Sequence, residues 1–279
     1  MEAIEPAGQS RREPIFSIPA IVVVLAALFI LIFGALDWAG LALQDAAIRN
    51  FAFSPGRLTV WLWPGRAIDL LIQANTDPMA LEQVRAMREL RALGGGPKLW
   101  TLVTYALLHG SWTHVLLNTI WLTAFGPPVA RRFGSARFLL FMVVASIAGA
   151  LAQWAAGPME FAPLIGASAA VSGLMGAATR FAFQPGAPLG PGWQARPDGE
   201  RLPAATLAGV LVEARPRIFL IIWLVTNFIF GAFARPLGLS DMPVAWVAHL
   251  GGFLAGLVLF PLFDRALHDG ARPSGAGSR

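Results

Sequence analysis

Long apolar runs separated by short polar connections dominate this chain. Six of them, about 16–40, 112–128, 137–156, 167–184, 217–234 and 243–263, approach the ~20 residues needed to cross a hydrocarbon core as helix. The first, roughly Ile15 to Leu41, is too long for a secretory leader and lacks a small-residue cleavage site, so it reads as a retained span. The pattern predicts an all-α membrane protein, a bundle of six transmembrane helices over residues 16–263. Residues 1–15 and 264–279 flank it as cytoplasmic segments, a structured outer loop fills about 41–111, and a Pro-, Gly- and Arg-rich cytoplasmic loop fills about 185–216. No internal repeat divides the chain.

Composition agrees. Of 279 residues, 56% are hydrophobic and only 13% charged, against about 25% charged in soluble domains. There is no cysteine, hence no disulfide framework or thiolate chemistry. Four histidines, with no acidic cluster in the apolar runs, predict neither a metal centre nor another cofactor. The net charge of +5 comes almost wholly from arginine, and the arginines lie between the apolar runs instead of forming one stripe, which argues against nucleic acid as a partner.

Their placement is topological. Arg131, Arg132 and Arg137 fall in the connection 129–137; Arg196, Arg201 and Arg215 in 185–216; Arg265, Arg272 and Arg279 in the tail. The connection 157–166 has no basic residue and 235–242 only Arg235. The positive-inside rule then puts both termini in the cytoplasm and the first loop outside. In that loop Asp77 can cap a helix opened by Pro78, with Gly94 as a stop. Leu81, Val84, Met87 and Leu90 line one edge, suited either to the membrane interface or to the protein's own outer surface. Trp61, Trp63 and Trp100 suit the headgroup level.

Polar groups inside apolar helices carry the candidate chemistry. An intramembrane histidine is costly and is read by default as functional. His249 lies in the sixth run, about 10 Å below a helix start near Met242; Ser168 opens the fourth; His114 and Asn118 lie in the first turns of the second, which Ser111 can cap. These three runs all go from outside inward, so their polar residues share a depth. A serine hydroxyl is a weak nucleophile that histidine can activate. With no acid near His249, the expected arrangement is a Ser168–His249 dyad without a third carboxylate. His114 and Asn118, four apart on one helix face, could join the Ser168 backbone N–H in stabilising an oxyanion. Small residues around Ser168, and Gly252 and Gly256 beyond His249, allow the two helices to approach closely. The chemistry expected is peptide-bond hydrolysis at a hydrated site within the bilayer.

Three segments, H-G-S-W-T-H-V-L-L-N at 109–118, G-A-S-A at 166–169 and A-H-L-G-G-F-L-A-G at 248–256, resemble the rhomboid family of intramembrane serine proteases. The resemblance implies a six-helix rhomboid-like core open toward lipid, Ser168 as nucleophile, His249 as base, His114 and Asn118 on the oxyanion side, and His109 in a supporting role through hydrogen bonds or water entry. Two departures stand out. Ala169 replaces the glycine that usually follows the nucleophile, and Ala130 stands where members often carry a glutamate that helps brace the outer loop.

The reading that follows is an intramembrane serine endopeptidase cutting transmembrane protein substrates near the outer face of the bilayer. Two other classes use similar features: a non-catalytic rhomboid-like binder of client helices, and a small transporter or proton channel, against which the spans show no carboxylate chain. The arginine and alanine bias fits a GC-rich bacterial genome and a bacterial inner membrane.

Overall fold

In the computed structural model, residues 18–74, 76–92, 96–184, 186–187, 203–233 and 244–264 are described. They are helical apart from turns and one isolated β-bridge. The helices are α1 (Ala20–Ala39), α2 (Leu41–Phe51), α3 (Pro55–Leu62), α4 (Gly65–Gln73), α5 (Pro78–Ala92), α6 (Thr101–Thr104), α7 (Trp112–Phe133), α8 (Ser135–Ala156), α9 (Ser168–Thr179), α10 (Leu207–Val212), α11 (Ala214–Phe233) and α12 (Trp246–Phe263). A helix occupies each of the six apolar runs. Four of them, α1, α8, α11 and α12, are long and apolar enough to cross a membrane. Helix α7 has the length but carries His114, Asn118, Arg131 and Arg132. Helix α9 has 12 residues; at ~1.5 Å per residue it spans about 18 Å, short of a ~30 Å hydrocarbon core.

Boundaries differ from expectation at three places. Helix α7 runs through Pro127 and Pro128 to Phe133, so Arg131 and Arg132 are helical instead of lying in a connection. Gly134, at φ +77°, alone joins it to α8, a conformation that a side chain would strain. Helix α12 begins at Trp246, which puts His249 in its first turn instead of ~10 Å down. Arg196, Arg201, Arg235, Arg265, Arg272, Arg279, Gly94, Met242 and the Leu90 side chain lie outside the described residues, as do all of 1–15 and all of 264–279 but Asp264.

The centre of the bundle is α9, flanked by α12, α8 and α7. Nearly every residue of α9 is buried, and half are Ala or Gly. Backbones therefore meet directly. A Cβ on Gly252 would run into the Ala169 carbonyl, and one on Gly256 into the Gly173 carbonyl; a Cβ on Gly176 would meet the Phe253 carbonyl. These contacts lock α9 and α12 one above the other along their length. Larger side chains, among them Phe133, Phe138, Phe141, Phe253 and Phe260, fill the core. At the far end of α7 the buried Arg132 guanidinium donates to Asp264 through Nε (3.0 Å) and through a second nitrogen (2.7 Å), and it lies over the Phe181 ring. Ala130, buried beside this pair, is sixteen residues from His114, about 24 Å along the helix. The family's glutamate would therefore sit at the end of α7 away from the outer loop.

The segment between α1 and α7, expected as an outer loop, is built of α2 to α6. Ser111 caps α7 by accepting from the His114 N–H (3.1 Å), and Asp77 accepts from the Met79 N–H at the start of α5 (2.9 Å). Val84 and Met87 are buried with Ala67 and Leu70 of α4 and with Phe161, so α5 packs on the protein's own outer surface. Trp61, Trp63 and Trp100 are about half exposed.

Glycine-to-carbonyl packing predicts a sharp size limit. Gly252→Ala should lower stability by about 1–3 kcal/mol through overpacking, whereas Gly65→Ala, with nothing within 4 Å of the added methyl, should leave it unchanged. Thermal denaturation in detergent micelles measures both.

Candidate active site

Ser168 is the first residue of α9, so its backbone N–H is one of the helix-start donors without an intrahelical acceptor. Two ties from the segment between α1 and α7 fix the stretch leading into it. Phe53 and Leu164 exchange backbone hydrogen bonds as an antiparallel bridge, and the Gly166 N–H donates to the Tyr105 carbonyl at 3.0 Å. Tyr105 is itself buried, its hydroxyl donating to the Ser146 carbonyl of α8 at 2.8 Å. Gly166 has φ +110°, a conformation that favours glycine, and it passes so close to α7 that a Cβ there would come within 2.6 Å of His114 Nε2.

His249 reaches across from α12. Its Nε2 lies 2.8 Å from Ser168 Oγ. The close approach of Gly252 to Ala169, described above, is what brings them this near: one residue past Ser168 and three past His249, the two backbones touch. His114 and Asn118 stand on the other side of the Gly166–Ser168 segment. Asn118 Nδ2 donates to the His114 carbonyl at 3.1 Å and lies within 4 Å of where a Gly166 Cβ would be. The structure thus gathers Ser168, His249, His114 and Asn118 around one short segment.

His109 sits behind this group, in the loop just before α7. It is buried, its ring against His114 (centroids 5.1 Å apart) and Phe29 (5.5 Å). Neither ring nitrogen has a hydrogen-bond partner among the described residues. Burial, reinforced by neighbouring His114, pushes its pKa down to about 3, so the ring is neutral at ordinary pH.

Asn227 of α11 is a residue that the sequence reading passed over. Its Oδ1 lies 2.8 Å from His249 Nδ1, and its Nδ2 donates to the Trp246 carbonyl at 3.1 Å. The available signal was a lone amide in an apolar run, which the rule applied to His249 should also have flagged. Ala169 is the other clarification. Its methyl faces α8, where Gly149 leaves room: a Cβ on Gly149 would come within 2.5 Å of it. The methyl that departs from the family pattern is accommodated by a glycine on the neighbouring helix. Among the described residues no group of three or more His, Cys, Asp or Glu could hold a metal ion.

Comparison with known proteins matches residues 96–265 to the Rhomboid domain family. The chain belongs to the rhomboid family. Curated relatives include rhomboid protease GlpG of Serratia proteamaculans, 26% identical over 162 residues (58% of this chain, 47% of the relative). Rhomboid protease GlpG of Haemophilus influenzae is 30% identical over 118 residues (41% and 59%), and rhomboid protease GluP of Bacillus subtilis 40% over 78 residues (28% and 15%). The chain therefore spans well under two thirds of each of these relatives. The Rhomboid domain match contains Ser168, His249, His114, Asn118, His109 and Asn227.

The neutral, buried His109 gives an expectation for stability. An unfolded histidine titrates near 6.5, so as pH falls below that value the unfolded chain takes up a proton that the folded chain refuses. Stability is lost as pH falls from about 6.5 toward about 3. Melting temperatures recorded across that window should decline, and His109→Leu should make the decline shallower.

Proposed function

We propose that this rhomboid-family chain is an intramembrane serine endopeptidase that cuts transmembrane protein substrates near the outer face of a bacterial inner membrane. The observation that carries the reading is the 2.8 Å contact between Ser168 Oγ and His249 Nε2. A helix lies in each of the six apolar runs, and both termini in the cytoplasm fit the arginine distribution. In that orientation the starts of α7, α9 and α12 face outward, and the site lies below the outer surface.

In this reading Ser168 Oγ bonds to the substrate carbonyl carbon while its proton passes to His249 Nε2. The oxyanion that forms accepts hydrogen bonds from the Ser168 N–H and from the His114 and Asn118 side chains. As the carbon–nitrogen bond breaks, His249 gives the proton to the leaving amine. Water then attacks the acyl-enzyme with His249 again as base, releasing the new carboxylate and restoring Ser168. A helical substrate backbone is closed off by its own hydrogen bonds, so the cut segment must unwind, which small or helix-breaking residues ease. His109 supports the oxyanion side by packing behind His114. The name "rhomboid protease" borne by the relatives supports the same activity.

Reconstituted with a model transmembrane substrate, Ser168→Ala should abolish cleavage, and unchanged cleavage would reject the assignment. His249→Ala should block labelling of Ser168 by a serine-directed fluorophosphonate. A binder of client helices would instead capture substrate without being labelled. Asn118→Ala, with one oxyanion donor removed, should lower kcat by about 10²–10³ while Ser168 is still labelled, slowly.

A further inference from the structure

The hydrogen bonds around Asn227 determine which nitrogen of His249 carries the proton. Asn227 Nδ2 donates to the Trp246 carbonyl, so the amide oxygen is the atom facing His249 Nδ1. The flipped amide would set two oxygens against each other at Trp246 and is excluded. An amide oxygen only accepts, so His249 Nδ1 must donate and carries the hydrogen. A neutral imidazole has one N–H, which leaves Nε2 with a free lone pair at 2.8 Å from Ser168 Oγ.

We propose that Asn227 is a positioning residue for catalysis: from α11 it holds the His249 ring in the tautomer and plane in which Nε2 can take the Ser168 proton. This rests on the reading of Ser168 and His249 as nucleophile and base. The site is then a Ser–His–Asn relay of orientation instead of a bare pair. When His249 becomes imidazolium, both ring N–H groups still have an acceptor, Nδ1 at the Asn227 oxygen and Nε2 at the leaving group.

An amide suits this place better than a carboxylate. Helix α11 is the least embedded of the long helices: Ile218, Ile221, Ile222, Phe228 and Ile229 are all about half exposed. An ionised acid on such a helix carries a heavy desolvation cost in lipid, while an amide with both of its polar atoms satisfied does not. Asn227 also supplies α11 with two polar links to α12, a helix it otherwise touches little. Orientation of the base therefore depends on α11 being seated.

The test uses the full chain in proteoliposomes, with kcat and KM measured separately on a model transmembrane substrate and the rate of fluorophosphonate labelling at Ser168 measured without substrate. Asn227→Ala should lower kcat and the labelling rate together by at least about tenfold, with KM held within about twofold. Asn227→Leu, whose apolar side chain suits a lipid-facing helix, should be equally impaired and guards against a folding defect in the alanine variant. Asn227→Asp, whose carboxyl oxygen accepts from His249 Nδ1 in the neutral form as well as the ionised one, should recover most of the rate. Unchanged kcat and labelling in the alanine and leucine variants, beside a dead His249→Ala, would overturn the positioning role and leave the base intact. A loss confined to KM or to the melting temperature, or a kcat loss that aspartate fails to recover at any pH the protein tolerates, would reduce Asn227 to an anchor of α11. Full activity in His249→Ala would instead remove the base itself, and this inference with it.

Discussion

Direct backbone contact between α9 and α12 is the constraint on which the site depends. Gly252 against the Ala169 carbonyl and Gly256 against the Gly173 carbonyl set the distance between the two helices. No side chain can be inserted, and none is available to take up slack. The Ser168 hydroxyl and the His249 imidazole are short groups projecting from these backbones, so their 2.8 Å separation follows from glycine packing one residue and three residues away. In lipid, where apolar burial gives helices little reason to associate, such tight packing is what holds them. The same contact therefore serves cohesion and the approach of Ser168 to His249.

The second constraint is polar satisfaction. Away from water, an imidazole, amide or hydroxyl left without a partner is costly, and His109 is the exception among the groups near Ser168. His249 has a partner at both nitrogens, Asn227 uses both ends of its amide, and Asn118 donates back to its own helix. Arg132 and Asp264 neutralise each other at the opposite end of α7. Polar groups are thus concentrated at two levels, one around Ser168 and one at the far end of the bundle, with a phenylalanine-rich core between them.

Much of this was legible in the sequence because the cues were local. Ser111 and Asp77 announce helix starts through side chains that reach only two or three residues, and both cap as expected. Gly252 and Gly256, one turn apart, mark a close-packed face without reference to the partner. Ser168 and His249 were paired through depth and chemistry, and the motifs of a known family strengthened the pairing. What escaped was non-local or turned on a single backbone angle. Asn227 is separated from His249 by a connection whose length does not fix the rotation of α11, so its contact could not be deduced even though the residue could have been noticed. Phe53 and Tyr105 look like ordinary core residues, and their backbone ties to Leu164 and Gly166 leave no mark in side-chain pattern. The apolar run ends near residue 128, but α7 continues through Pro127 and Pro128 for five residues more.

The methyl of Ala169 and the bare face of Gly149 make one space shared by two helices. Only one of the two positions can hold a side-chain carbon at a time, so their identities are not independent choices. A Cβ at 149 would also come within 2.8 Å of the Ala248 carbonyl, so position 149 is held to glycine, and that is what keeps room for the Ala169 methyl. The residue beside Ser168 is thereby constrained by α8, a helix that contributes no group to the Ser168–His249 contact.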